Sequence, residues 1–137
     1  MQNPPPVQTA KSSTGLDENV AALLAYILHW VSGLVFFLIE KDSRLVRFHA
    51  MQSILLNVVI AVVGIALWIV TFIIFIISTQ LPGFLGTIVS LLATLIWVVF
   101  SVGILIAWIM CLIKAFQGTY FKLPIIGNFA EKFSAPK

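Results

Sequence analysis

His29, Ser53 and Asp42 are the residue types of a hydrolytic triad, and His29 and His49 with Glu40 or Asp42 are types that hold a metal. Neither chemistry finds its spacing. Asp42 follows the apolar run in which His29 sits at mid-length, no nucleophile elbow surrounds Ser53, and no HExxH or EF-hand pattern occurs. A Gly-rich phosphate loop is also missing, so the chain is read as non-enzymatic, with no catalytic residue, no metal ligand and no cofactor. Cys111 is the single cysteine, which excludes an intrachain disulfide. Two other sets carry more. Arg44 and Arg47 lie three apart on a helical start capped by Asp42 or Ser43, so both guanidiniums reach one side at headgroup depth and can clamp lipid phosphates. His49 and Lys122 join them as lipid or partner contacts. His29, Ser53 and Asn57 place an imidazole, a hydroxyl and a carboxamide in apolar surroundings, where they need partners or water. They read as an internal hydrogen-bond cluster or as the lining of a polar path.

The elements that position these residues are membrane spans. Of the 137 residues 61% are hydrophobic and 9% charged, against roughly 25% charged in soluble domains. From Phe48 to Ile113 there is no Asp, Glu, Lys or Arg. That distribution belongs to an all-α, multi-pass protein of the cell membrane. The net charge of +3 sits beside apolar spans, which directs it to anionic lipid headgroups and excludes nucleic acid as a partner. Residues 1–15, with Pro4, Pro5 and Pro6, read as a solvated tail, residues 16–133 as the transmembrane domain, and residues 134–137 as a short tail.

The periodicity predicts three transmembrane helices, at about residues 20–39, 50–77 and 84–113. The first has the length of one hydrocarbon core, about 30 Å. Ser32-Gly33 is the place where it would break into a re-entrant hairpin. The other two are too long to stand upright and are joined by Leu81-Pro82-Gly83, which makes them antiparallel neighbours. Small and polar residues recur along one stripe of each helix: Ala21, Ala25, His29 and Gly33 at spacing four; His49, Ser53, Asn57, Ala61 and Gly64; Gly86, Ser90, Thr94, Trp97 and Ser101. Such stripes pack helices, and three helices bury little of one another, so a homo-oligomer or another membrane protein is expected to supply further contact. Lys41, Arg44 and Arg47 fall on the same side as Lys114, Lys122, Lys132 and Lys137, which places the C terminus in the cytoplasm and the N terminus outside. After Lys114 an aromatic and basic stretch around Tyr120-Phe121-Lys122 reads as interfacial. Asn128 and Glu131 form the signature of a capping box that opens a short terminal helix lying flat on the surface.

Three strings carry a resemblance: LDENVAALLAYIL at 16–28, EKDSRLVRFHAMQS at 40–53 and KAFQGTYFKLPIIGNFAEK at 114–132. Together they resemble the Tic-twenty-like family of small prokaryotic membrane proteins of unknown function, distantly similar to a subunit of the chloroplast inner-envelope translocon. The resemblance implies a membrane protein without catalytic residues, acting through lipid or protein contacts in a translocon-like role. The matching positions, Arg47, Phe48, His49, Gln52, Lys114, Gly118, Pro124 and Gly127, have no assigned role there. The alternative, from the His29, Ser53 and Asn57 stripe, is an oligomeric channel or carrier for ions or small solutes.

Overall fold

A computed structural model describes residues 10–135. The Pro-rich start and the last two residues lie outside them. The described residues form five helices, α1 (Glu18–Ile27), α2 (Trp30–Ile39), α3 (Arg44–Ser78), α4 (Gly83–Phe116) and α5 (Ile126–Phe133), with one isolated bridge between Lys11 and Asp17. The fold class is all-α, as the composition predicts. Two compact units share the chain, one from residues 10–57 and 110–135 and the other from residues 58–109.

In the first unit the expected straight span at 20–39 is replaced by a helical hairpin. The helix stops at Leu28 and resumes at Trp30, because His29 adopts a positive φ of 53°. The Ser32 hydroxyl sustains the break: it accepts the Leu28 N–H at 3.0 Å and lies within donating distance of the Ala25 carbonyl at 3.0 Å. It thereby satisfies backbone groups that the interrupted helix leaves over. The break falls a turn before the Ser32-Gly33 position that composition suggests. Each arm has ten residues, about 15 Å, half of a hydrocarbon core. The Ser13 N–H, ahead of α1, lies 3.0 Å from the Glu40 carboxylate, beyond α2. A straight helix would hold those ends roughly 30 Å apart, so the chain must turn back on itself. Ser13 and its neighbours, which composition gives to a tail, are hydrogen-bonded structure.

Small residues allow the hairpin to close against α3. Ala21, Ala22, Ala25, Ser32 and Gly33 are buried. A Cβ at Gly33 would lie 2.9 Å from the Ala50 carbonyl oxygen and 3.1 Å from the Ser53 Cβ, so only glycine admits this approach. Ser43 caps α3 by accepting the Val46 N–H at 3.3 Å. The outer faces of α1 and α2, including Ile27, Trp30, Val31, Leu34, Val35, Leu38 and Ile39, are exposed and apolar.

The second unit is the two-helix hairpin of α3 and α4. Its antiparallel register is read from three contacts: Gly64 beside Phe100, Trp97 Nε1–H donating to Thr71 Oγ1 at 3.3 Å, and Gly86 against the Ser78 carbonyl. Ser90, Thr94 and Trp97 line a cavity there with Thr71 and Phe75. Of the described helices, α3 with 35 residues and α4 with 34 are long and apolar enough to cross a membrane. They run about 50 Å each, longer than the expected spans, because α3 begins at Arg44 and keeps Arg47 and His49 inside the helix. The three-span reading therefore gives way to two long helices and a short hairpin.

Candidate functional site

The first unit contains two buried polar assemblies, and together they take up most of the residue types that could do chemistry. Glu40, at the end of α2, is buried. Its carboxylate accepts the Ser13 N–H (3.0 and 3.1 Å to its two oxygens), the Ser13 hydroxyl (2.7 Å), and the N–H groups of Asp42 (3.1 Å) and Ser43 (2.9 Å). Burial works to raise the Glu40 carboxyl, but the Ser43 and Ser13 N–H groups, the Ser13 hydroxyl and the Asp42 N–H outweigh it. The group stays below its usual 4.5. Arg47 completes this clasp from α3. Its Nη1–H groups donate to the carbonyls of Phe37 (3.1 Å) and Glu40 (2.8 Å), its Nε–H donates to Ala135 (3.0 Å), and its guanidinium lies over the Phe37 ring at 4.5 Å. A cation on the last carbonyls of α2 is favoured by the helix dipole. Arg47 is thus buried and fully engaged, whereas Arg44, three residues away, is exposed. The paired phosphate clamp expected of them is not assembled.

The second assembly can be read in one direction. The Thr119 carbonyl only accepts, so the His49 nitrogen 2.9 Å from it, Nε2, carries the proton. His49 Nδ1 then accepts from the Tyr26 hydroxyl at 3.1 Å. Tyr26 in turn accepts from Gln52 Nε2 at 3.1 Å, and that amide also donates to the Phe121 carbonyl at 3.0 Å and faces the Cys111 sulfur at 3.7 Å. Gln52 Oε1 accepts the Leu123 N–H at 3.3 Å. The phenol, imidazole and carboxamide are all buried. They fasten residues 119–123 onto α3 and α1, and among the described residues no buried side-chain polar atom lacks a partner. This arrangement holds a fold together. It offers neither an activated nucleophile nor, among the described residues, a group of three or more metal-ligating side chains.

His29, Ser53 and Asn57 are brought near one another through the backbone. Ser53 Oγ–H donates to the His29 carbonyl at 3.0 Å, and Asn57 donates to the Ser53 carbonyl of its own helix at 2.9 Å. The Ser53 bond ties the hairpin tip to α3, and the Asn57 bond stays within α3. Lys122, expected to meet lipid or a partner, donates to Glu131 at 2.6 Å and lowers that exposed carboxyl. The capping box is not formed, since α5 begins ahead of Asn128 and Glu131 turns to Lys122. Tyr120, whose phenol is raised by burial against the opposing charge of Arg44, packs its ring 5.3 Å from Phe48. Tyr26 and Ser13 are participants that the sequence does not single out, and Glu40 is one it names only as a metal-ligand type. A tyrosine on a face of small residues, needing a partner for its hydroxyl, is the one signal that points to any of them.

A family model described as the magnetosome magnetite crystal formation protein family (MamF/MmsF) matches residues 16–130. A UPF0132 membrane protein of Methanocaldococcus jannaschii is 39% identical over 124 residues, covering 90% of this chain and 94% of its own. A UPF0132 membrane protein of Archaeoglobus fulgidus is 38% identical over 117 residues, 85% and 95% of the two chains. A second M. jannaschii UPF0132 membrane protein is 32% identical over 119 residues, 87% and 71%. No solved structure matches. The Tic-twenty-like resemblance is overturned, because the family model that matches this stretch is a different one and these relatives carry no translocon link. Short strings that mix a base, an aromatic and a turn residue recur wherever a helix leaves the bilayer, and they discriminate poorly between families.

Proposed function

The chain belongs to the magnetosome magnetite crystal formation protein family (MamF/MmsF), and on that premise we propose a non-enzymatic membrane protein that organises lipids and neighbouring proteins at one bilayer face. In this reading α3 and α4 cross the bilayer, and the α1–α2 hairpin enters one leaflet and returns. Every Lys, Arg, Asp and Glu among the described residues then lies on a single side. The observation that carries it is the closure of Ser13 on Glu40 at 3.0 Å, since it puts both ends of the hairpin together. Basic flanks are retained in the cytoplasm, so the N terminus joins the C terminus there instead of lying outside. Anionic headgroups are the expected lipid partners, and the apolar outer faces of α3 and α4 the surface for self-association or another membrane protein.

The magnetite in the family's description is linked here to membrane organisation and not to holding iron. Glu40 and His49, the buried groups best suited to a cation, point at N–H and O–H donors or at a carbonyl. Single cysteines at Thr14, Gln80 and Lys132, probed with an impermeant maleimide on right-side-out and inverted vesicles, test the topology. Cys111 is buried and serves as background. Thr14 and Lys132 should label from the same side and Gln80 from the other; Thr14 labelling together with Gln80 would refute the hairpin reading.

A further inference from the structure

Ile125 combines two unfavourable features. Its backbone sits at φ 66°, a left-handed conformation that β-branched residues rarely adopt, and its side chain is 75% exposed. The turn imposes the backbone. Ile126 and Gly127 N–H groups donate to the carbonyls of Pro124 and Leu123 at 2.7 and 2.8 Å, and a Cβ at Gly127 would lie 2.6 Å from the Lys122 Cα. Asparagine or glycine would occupy position 125 at lower cost. Folding gives no reason for an isoleucine there, whereas a surface that it enters does.

The edge continues along α5. Phe129 and Phe133 lie four apart on α5 and so share a face, they are 53% and 55% exposed, and Ile125 stands just ahead of the helix at its N-cap. Gly127, Ala130 and Ser134 face inward and are buried. Both ends of this segment are tied down. Thr119 N–H donates to Lys114 at the end of α4 (3.1 Å) and Leu123 N–H to Gln52 of α3 (3.3 Å), while Arg47 holds Ala135. The edge is therefore moored to the ends of both long apolar helices, where hydrocarbon gives way to headgroups. Among the described residues Lys41, Arg44, Lys114 and Lys132 have no ion-pair partner, which complements an anionic surface.

We propose that the Ile125, Phe129 and Phe133 edge is an interfacial anchor that enters the headgroup layer of an anionic bilayer, with Lys132 on the lipid phosphates. This deepens the lipid-organising reading and can fail separately from it. The test uses the full chain in nanodiscs of phosphatidylcholine with or without phosphatidylglycerol, with an environment-sensitive fluorophore on Phe133→Cys. Doxyl-labelled lipids should quench it and aqueous iodide should not, more clearly in anionic discs. Phe129→Ser should lower the docked-to-undocked ratio about tenfold, the loss of one partly exposed aromatic from the boundary. Ile125→Asn supplies the second readout: lipid quenching falls while hydrogen-exchange protection of α5 is kept or rises, because the backbone is relieved. A loss of both would assign Ile125 a merely structural role and overturn the proposal. Iodide quenching without lipid quenching overturns it too, as does shielding from both quenchers, which means a protein covers the edge. Topology is read independently by the Thr14 and Lys132 labels, so loss of lipid quenching with those labels unchanged sinks the anchor alone.

Discussion

Glu40→Gln tests the hairpin's clasp with the fewest atoms changed. The carboxylate accepts the Ser13 N–H and hydroxyl and the N–H groups of Asp42 and Ser43, between 2.7 and 3.1 Å. Glutamine keeps the shape, but it removes the charge and turns one oxygen into an NH₂ that faces donors. Hydrogen bonds to a charged group contribute about 1.5–3 kcal/mol and neutral ones about 0.5–1.5. With Ser13 itself exposed, the net loss is about 2 kcal/mol, which raises the opened population roughly thirtyfold. Hydrogen exchange in nanodiscs should then speed up by about that factor at the Ser13, Asp42 and Ser43 amides, with α3 and α4 beyond Asn57 unchanged. The pH dependence has a definite sign. The folded-state value of Glu40 is depressed below 4.5, so the clasp contributes fully above the ordinary glutamate value and is lost as pH falls through the lowered one. Wild type should loosen only on acidification beneath 4.5, while the variant stays equally loose throughout. Equal exchange in the two proteins at neutral pH, or a wild-type clasp that already opens near pH 6, would refute the reasoning.

Arg47→Lys keeps the charge but loses the fork that reaches Phe37, Glu40 and Ala135; a cost of about 2–3 kcal/mol should free the C-terminal residues to added carboxypeptidase. Tyr26→Phe strips the hydroxyl between His49 and Gln52 and should lower stability by about 1–3 kcal/mol, read as faster hydrogen exchange at the Thr119 and Leu123 amides. Gly127→Ala places its methyl against the Lys122 backbone and should cost about 1–3 kcal/mol. Gly103→Ala, on α4 with nothing within 4 Å, should instead stabilise by about 0.5–1 kcal/mol, and a denaturation series on the pair checks both.

What was legible in the sequence is what a hydrocarbon solvent dictates locally. The uncharged run gave α3 and α4, Leu81-Pro82-Gly83 gave their turn, and Ser43 was a readable cap. The hairpin break was readable only as an alternative to a straight span and one turn away, at Ser32-Gly33, because no Pro or Gly stands at Leu28–His29. Its cause is a hydroxyl at Ser32, and a mid-helix serine ordinarily back-bonds to its own helix. Arg47 was misread for a similar reason. Its i,i+3 spacing from Arg44 says that they share a side, yet only the folded position of α2 buries one and leaves the other in solvent. Glu40 was legible only as a metal-ligand type, since its donors on Ser13 lie 27 residues upstream.

These misreadings have a common origin in the solvent. Lipid tails are as apolar as leucine, so burial of Leu or Ile hardly distinguishes one arrangement of apolar helices from another. The α1–α2 hairpin could face its aliphatic residues to lipid in many poses at similar cost. Directional bonds must select one, and the bonds that do so each join distant parts of the chain: Ser13 to Glu40, Arg47 to Ala135, His49 to Thr119, Gln52 to Leu123. Removing one partner leaves a buried donor or acceptor unpaired, which penalises the alternatives more than the bond itself favours the native pose. Polar residues whose types suggest catalysis are thus accounted for by specificity of folding. Among the described residues the exposed bases around Arg44, the apolar edge from Ile125 to Phe133 and the apolar outer faces of α3 and α4 are surfaces left to act on something else, and function is to be sought there.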